Sequence, residues 1–453
     1  MSAALATPLV NALAQRIAQE HVAVRSALPS SVVSPERRLQ AIETLAASGL
    51  PTARDENWKY ANLRTVERVR FTPSTPRPRP DVPVGELPAL IQGYARYIFV
   101  DGVLMPELSS ATSASGVSVT SLRARASSAT PSVDSGTADF SHLSSGTAAD
   151  ERFALLNEAF ATDGAAIRVA QNIDCPACVE LIFVATEAAQ NAASYPRIEL
   201  SVAANARVGL IERHVSLHQD ANFVNGSARV NIGRGAQVNH YRVQQAGARS
   251  TWVDTLVASV AQDARYALYT VSLGALSARS TMHIQLAGER AELALHGVSL
   301  GDGQQVHDAF ALVEHIAPHT KSEQSVRSIA AGRARVGFNS KVVVRGHARG
   351  ADSRQSLRGL LAGSQAEIDV RPQLEIYTDD VRCSHGATAG KLDDNMLFYL
   401  LSRGIEPDTA QQLLKWAFLE DVVSRIEVPE LRRQIELSLA GQMKETAALK
   451  ELI

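Results

Sequence analysis

Cys383 and His385 are the residues whose types and spacing best suit metal chemistry. They lie two positions apart, so on an extended strand their side chains project from the same face. A thiolate and an imidazole together suit iron or zinc. Two ligands are too few for a closed site, so a bound metal must be shared with another chain, with sulfide or with a substrate. The alternative is a buried thiol beside a hydrogen-bonded imidazole.

Other residues with catalytic or metal-binding chemistry form weaker patterns. Cys175 and Cys178 form a single CxxC without a second pair or a βαβ setting, so no role is predicted for them. Asp302 and Asp308 would be the carboxylates of a carbohydrate-cleaving enzyme, although nothing in their spacing favours that role. The chain has no P-loop or nucleophile-elbow motif, so we predict no ATP site. Histidines without HExxH spacing are predicted to be structural: His214, His218, His240, His283, His296, His307, His315, His319 and His347.

The composition is that of a soluble globular protein. Of 453 residues, 45% are hydrophobic and 20% are charged. A formal net charge of -2 argues against a basic nucleic-acid surface. No run approaches the roughly 18 apolar residues of a membrane helix, and the first residues lack a basic segment typical of a secretory signal. Because three cysteines are too few for a disulfide framework, we expect a reducing, cytoplasmic location.

Residues 1–92 are predicted to form a helical domain followed by a linker. Ser34 and Pro35 are typical of a helix start and Gly49 of its end, whereas six prolines between positions 73 and 88 indicate an extended linker. An Asp101-Gly102 turn then predicts a hairpin. Residues 109–149 are rich in Ser, Ala, Thr and Gly, so we expect a mobile segment there, before a helix over 150–160.

Residues 93–382 are predicted to form a β-helix or another β-solenoid. A small residue opens successive strands at intervals of 30, 28, 27, 43 and 32 residues. The alanines at these positions are Ala206, Ala236, Ala264, Ala291, Ala334 and Ala366. Near-regular spacing indicates coils that each bury a face on the next. The 43-residue gap weakens the pattern, although DAFALVEH from 308 would supply an extra strand there, and a β-sandwich is the alternative.

Residues 383–453 are predicted to form a C-terminal helical domain. The helix that opens at Pro407 carries a wide apolar stripe, which packs either on the solenoid or on another protein. The residues of this stripe that we assign to partner binding are Ala410, Leu413, Leu414, Ala417, Phe418 and Val422.

Several long motifs resemble the SufB/SufD family of iron–sulfur cluster assembly proteins. CSHGATAGKLDDNMLFYLLSRGI, residues 383–405, carries the most specific resemblance, and PQLEIYTDDVRCSHGAT, residues 372–388, is similar to the form found in the SufD branch. DENWKYANL from 55 and the helix over 150–160 followed by DGAAIRV also resemble the family. The SufB branch usually has Glu after the motif histidine, where this chain has Gly386, so the resemblance points to the SufD branch.

The resemblance implies a scaffold subunit and not an enzyme. Its fold would be mainly β, with a right-handed parallel β-helix core between N-terminal and C-terminal α-helical domains. Its partners would be SufB, through the β-helix, and the ATPase SufC, through the C-terminal helices; whether the isolated chain also forms a homodimer is left open. A transient iron–sulfur cluster would be shared with SufB, with His385 contributing and Cys383 as the second candidate. The alternatives are a β-helix enzyme acting on a polymer such as a polysaccharide, and a purely structural partner of SufB.

Overall fold

The chain folds into a parallel β-solenoid of about 8 turns, flanked by helices at both ends. The computed structural model describes residues 8–68, 71–73, 82–110, 114–124 and 148–443. Each turn of the solenoid contributes one strand to each of two facing sheets, here called sheet A and sheet B. Among the described residues, no helix is both long enough and apolar enough to cross a membrane.

Sheet A has eleven strands and sheet B has ten. The strands of sheet A are β1 (Thr72–Pro73), β4 (Val117–Ser121), β5 (Gly164–Val169), β7 (Ala192–Ser194), β8 (Arg197–Val202), β10 (Phe223–Ile232), β12 (Thr251–Val260), β14 (Ser277–Leu286), β16 (Val306–His315), β18 (Arg335–Val344) and β20 (Glu367–Ile376). The strands of sheet B are β2 (Ala95–Val100), β3 (Val103–Leu104), β6 (Asp174–Ala185), β9 (Arg207–Ser216), β11 (Gln237–Gln245), β13 (Arg265–Ser272), β15 (Glu292–Gly301), β17 (Lys321–Ala331), β19 (Ala351–Ala362) and β21 (Val381–Gly390). The helices are α1 (Pro8–Val24), α2 (Pro35–Ser48), α3 (Arg64–Arg68), α4 (Ala148–Phe160), α5 (Asp394–Ser402), α6 (Pro407–Val423) and α7 (Pro429–Gln442).

The predicted β-helix is confirmed by the pairing of the strands. From β8 to β21, each strand pairs in parallel with the strand one coil away, and not with its neighbour in the chain. The β-sandwich alternative is therefore wrong, because sandwich sheets pair antiparallel strands. Side chains alternate along each strand: Leu210 of β9 faces the interior, whereas Ile211 packs outward against the C-terminal helices.

The irregular gap of 43 residues in the alanine repeat marks a change of sheet. Ala264 and Ala291 immediately precede β13 and β15 of sheet B, whereas Ala334 precedes β18 of sheet A. The spacing of the coils in sheet B stays regular across this gap, because Glu292 of β15 is in register with Lys321 of β17. Thr320, just before Lys321, therefore occupies the position that Ala291 occupies one coil earlier. The predicted extra strand in this gap is confirmed as β16.

The N-terminal region packs on the outer face of sheet A, and Trp58 lies at this contact. Trp58 is buried, its indole Nε1 donates to Asp150 Oδ1 at 2.9 Å, and its ring lies 4.3 Å from the Arg279 guanidinium of β14. The predicted start of α2 is confirmed, because the Ser34 side chain accepts a hydrogen bond from the Arg37 backbone N–H. The capped helix α2 packs on α4.

Two boundaries differ from the sequence-based prediction. The last strand, β21, extends to Gly390, so the solenoid continues past the expected start of the helical domain at residue 383. Strand β4 lies in the segment that we expected to be mobile and pairs antiparallel with β5; residues 111–113 and 125–147 of that segment lie outside the described residues. The Asp101-Gly102 hairpin is confirmed, with φ of +47° and +85° at its two turn residues.

Candidate functional site at the open end of the solenoid

Cys383 and His385 lie on β21, the last strand of sheet B, and both side chains belong to its interior face. Cys383 is in register with Ser353 of β19 and packs half-buried against the solenoid core. His385 is in register with Gln355 and is exposed to solvent. The strand therefore presents a thiol and an imidazole side by side, one at the edge of the core and one in water.

His385 is exposed because the solenoid ends there. Among the strands that the structure describes, β21 of sheet B pairs only with β19, and β20 of sheet A pairs only with β18, so each has one edge without a described partner strand. Interior-facing residues of β20 are no longer fully covered, and Ile376 is 41% exposed. The adjacent Tyr377 is 61% exposed. We call this surface, formed by β20, β21 and Tyr377, the open end.

Partial burial controls the chemistry of the Cys383 thiol. Burial raises its pKa above the ordinary value, and a hydrogen bond with the Ser353 backbone only partly opposes that shift. The free thiol is therefore protonated at neutral pH and unreactive as a nucleophile. A metal ion that binds the sulfur must displace this proton, so binding there releases a proton.

The chain provides an incomplete ligand set at the open end. Across the described ranges, no group of three or more His, Cys, Asp or Glu side chains is arranged to hold a metal ion. Cys383 and His385 can contribute one thiolate sulfur and one imidazole nitrogen, whereas a tetrahedral iron in a cluster needs four ligands. This geometry fits a site that is completed by another chain or by sulfide.

Comparison with known proteins accounts for nearly the whole chain. Residues 183–418 match the family model of the SUF system FeS cluster assembly SufBD core domain, and residues 18–181 match that of the SufBD protein N-terminal region. The chain belongs to the SufB/SufD family. The iron–sulfur cluster assembly protein SufD of Escherichia coli is 31% identical over 413 residues, which cover 90% of this chain and 92% of that protein. An iron–sulfur cluster assembly SufBD family protein of Synechocystis is 27% identical over 449 residues, covering 94% and 97%.

His214 and His240, in the middle of the solenoid, contact a carboxylate within the chain. Glu212 lies at the centre of one interior network, in which Arg242, His214 and His240 contact its carboxylate at 2.7 to 3.1 Å. Although burial opposes the shift, Arg242 and these hydrogen bonds hold the pKa of Glu212 well below its usual range. Arg242 also contacts Asp254 at 2.6 Å. These groups stabilise each other inside the core, which agrees with a structural role for the histidines.

The two cysteines of the CxxC motif lie far from the open end in the chain, in a β-bulge of β6. Both are buried in the core, and burial together with the neighbouring Cys175 thiol raises the pKa of Cys178. The Cys178 thiol is therefore a poor nucleophile. The absence of a role for Cys175 and Cys178 stays a prediction.

The two acidic candidates for a polysaccharide-cleaving site do not form a catalytic pair. Asp308 is buried on the outer face of sheet A, where it is ion-paired with Arg279. Asp302 is exposed in a turn, and its carboxylate accepts a hydrogen bond from the Gly303 backbone N–H at 2.7 Å. One of the two carboxylates is thus committed to a buried ion pair and the other to its own turn, which removes the geometric basis for that alternative.

The predicted partner-binding stripe on α6 is only partly available. Ala410 and Val422 are buried, and Phe418 packs on the solenoid together with Val422. Phe418 and Val422 thus lie on the side of α6 that packs on sheet B. The assignment of these three residues to partner binding stays a prediction. Leu413 and Leu414 are half-buried, and Ala417 is exposed; a partner can reach these three. Their role as a binding surface stays a prediction.

Sequence reasoning missed an apolar surface on α5. Met396, Phe398 and Tyr399 are 59%, 71% and 57% exposed, and Leu401 is 38% exposed. A groove of about 330 Å³ runs between α5 and α6, lined by Asn395, Met396, Tyr399, Leu400 and Leu414. The signal was present in MLFYLL, which is apolar on every side of a helix; such a helix must bury more than one face.

Proposed function

We propose that this chain is a non-catalytic, cytoplasmic scaffold subunit that helps to assemble an iron–sulfur cluster at a site shared with SufB. His385 would supply an imidazole ligand to the nascent cluster, and Cys383 would supply a thiolate or line the site. The observation that carries the proposal is that both residues of the family motif lie on β21, the terminal strand of sheet B, which pairs with β19 on one edge. An incomplete ligand set at an open strand edge is what a shared site requires.

The open end would be the surface that receives SufB. An edge strand presents a row of unpaired backbone N–H and C=O groups, which another strand can satisfy by continuing the sheet. The same argument allows two copies of this chain to pair when SufB is absent, which gives a homodimer. In either case the partner strand would cover β21 and bring its own side chains next to Cys383 and His385.

The ATPase SufC would dock on the C-terminal helices. The supporting observation is the exposed apolar surface formed by Met396, Phe398 and Tyr399 of α5 with Leu414 and Ala417 of α6. Apolar clusters of this kind on a folded domain are typical of protein contacts. The ATP would be bound by SufC, since this chain carries no P-loop motif.

The test is anaerobic cluster reconstitution on the purified complex with SufB and SufC. We expect His385→Ala to abolish most of the bound iron and sulfide and the visible absorbance, while the complex stays assembled on a sizing column. His347→Ala is the matched control, because His347 is also exposed but lies in the turn between β18 and β19. It should leave the cluster content unchanged.

Either result of this experiment is informative. If the His385→Ala complex assembles and retains its full cluster, the chain only positions SufB and the ligands lie on that partner. That outcome would contradict the shared site and support the purely structural alternative.

A further inference from the structure

Gln355 occupies the interior position next to His385. It lies on β19, is 4% exposed, and its Cα is in register with that of His385 on β21. In-register side chains on one face of neighbouring parallel strands stack at roughly the strand spacing of 4.8 Å. Because β19 is the neighbour of β21 among the described strands of sheet B, Gln355 is the interior side chain directly beside the imidazole.

The Gln355 amide is held in one orientation by β18. Its Nε2 donates to the Ser340 hydroxyl at 2.8 Å and to the Ser340 carbonyl at 3.3 Å. These two contacts direct the NH₂ group of the Gln355 amide toward Ser340. The Ser340 hydroxyl in turn donates a hydrogen bond to Gln324 Oε1 at 2.5 Å. Rotation of the amide by 180° would place its oxygen against the Ser340 carbonyl, which is repulsive.

The oxygen of the same amide has no partner. Gln355 Oε1 is buried and accepts no hydrogen bond from any described residue. Buried carbonyl oxygens of this kind are nearly always satisfied in folded proteins. A ring N–H of the neighbouring His385 is a donor of suitable chemistry at the adjacent position.

We propose that Gln355 is a positioning residue for His385: its Oε1 accepts a hydrogen bond from one ring N–H and directs the other ring nitrogen, with its lone pair, toward iron. The role of this contact in iron binding rests on the proposed function, whereas the hydrogen bond between Gln355 and His385 does not depend on it. Histidines that bind metals usually donate their second ring N–H to a carbonyl or carboxylate, which fixes the tautomer and the ring direction. Here Ser340, Gln355 and His385 would link β18, β19 and β21 into one support.

The contact is tested on the isolated chain without metal. With ¹⁵N-labelled histidine, the His385 signals are assigned by their loss in His385→Ala, and the tautomer is obtained from long-range ¹H–¹⁵N correlations. We expect one dominant tautomer in the wild type and a mixed population in Gln355→Leu, which keeps the approximate size of the side chain but removes the acceptor oxygen. Gln244→Leu is the control, because Gln244 is a buried glutamine on β11, several coils away from β21, and the substitution should leave the tautomer unchanged.

The second measurement is cluster reconstitution in the full complex. We expect Gln355→Leu to weaken iron binding by about 10- to 100-fold, the usual cost of losing such a support. An unchanged tautomer in Gln355→Leu would overturn the proposal, and would indicate that Gln324 satisfies the amide oxygen. A tautomer that depends on Gln355 in a chain whose cluster does not depend on His385 would confirm the contact and reject the shared site.

Discussion

The middle of the solenoid and its open end place the same kinds of polar side chain in opposite surroundings. In the middle, His240 is fully buried, and its ring nitrogens contact Tyr266 at 2.9 Å and Glu212 at 3.1 Å. At the open end, His385 also occupies an interior-facing position, but it is exposed. The difference lies in the next coil: β11 has neighbours on both sides, and β21 has one.

This comparison shows that position along the solenoid determines whether an interior histidine can serve as a ligand. A coil on each side supplies partners, excludes water and favours the neutral imidazole. On the terminal coil the strand geometry is the same, but the imidazole ring is exposed to solvent because no further described coil covers it. A terminal coil is therefore sufficient to turn a structural position into a binding position, provided that a partner protein later covers it.

The largest expected difference between the two regions concerns stability. Arg242→Met should lower the free energy of unfolding by about 3–5 kcal/mol, because it leaves the buried Glu212 carboxylate without its cation. His385→Ala should change it by no more than about 0.5 kcal/mol, since the side chain is exposed. Denaturant unfolding monitored by circular dichroism measures both.

The matched control for Arg242→Met is Lys321→Met, which also removes a cation from a sheet B ion pair. Lys321 contacts Glu292 at 3.0 Å, but its side chain is 64% exposed, so the expected loss is below about 1 kcal/mol. Equal losses for the two substitutions would show that the interior network does not depend on its charge pairing.

The buried histidines of the middle should also make stability depend on pH. Burial lowers the pKa of His307 and of His315 to about 4, whereas an unfolded chain has the ordinary value of 6.5. Between these values the unfolded chain binds more protons, so the free energy of unfolding falls as pH decreases from about 6.5 to 4. Each histidine contributes a slope of up to roughly 1.4 kcal/mol per pH unit.

Urea unfolding at pH 6.5, 5.5 and 4.5 checks this slope. His315→Asn should reduce the slope by up to roughly 1.4 kcal/mol per pH unit, which corresponds to one proton, whatever its effect on stability at pH 6.5. Val313→Ala is the control on the same strand: it destabilises the buried core without removing a titrating group, so its slope should equal that of the wild type. A slope that is unaffected by His315→Asn contradicts the assignment.

The smallest expected effect concerns the two sides of α6. Ala417→Asp places a charge on the exposed side, so it should leave folding unchanged and weaken SufC binding about tenfold, or about 1.4 kcal/mol. Titration calorimetry with purified SufC measures the affinity. Gln411→Asp, at a half-buried position earlier on α6, separates a local effect from a general effect of added negative charge. Unchanged affinity in Ala417→Asp would place the SufC contact elsewhere.

Local signals in the sequence predicted the elements that depend on neighbouring residues. Ser34, Pro35 and Gly49 marked the limits of α2, and Asp101-Gly102 marked the hairpin, because caps and turns are decided within a few residues. The alanine spacing predicted the solenoid. It could not show that Ala334 opens a strand of the other sheet, because that depends on pairing between residues about 30 positions apart.

The candidate site was predicted in its residues but not in its surroundings. The spacing of Cys383 and His385 placed them on one face, yet nothing local to them indicated that the strand would have an unpaired edge. Gln355 carries no motif, and its relation to His385 arises only from the register of β19 with β21. The apolar stripe of α6 likewise did not reveal which side of the helix packs on sheet B, since that is decided by tertiary contacts.

The position of β21 also bears on the order in which the molecule can be made and assembled. Each coil of a solenoid contacts only its neighbouring coils, and a chain emerges from the ribosome starting at its N-terminus. The strand with the unpaired edge is therefore synthesised after the twenty strands that precede it. A partner that binds by extending the sheets meets this edge only when the supporting coils already exist, so subunits assembled during translation are complete in this region before they join.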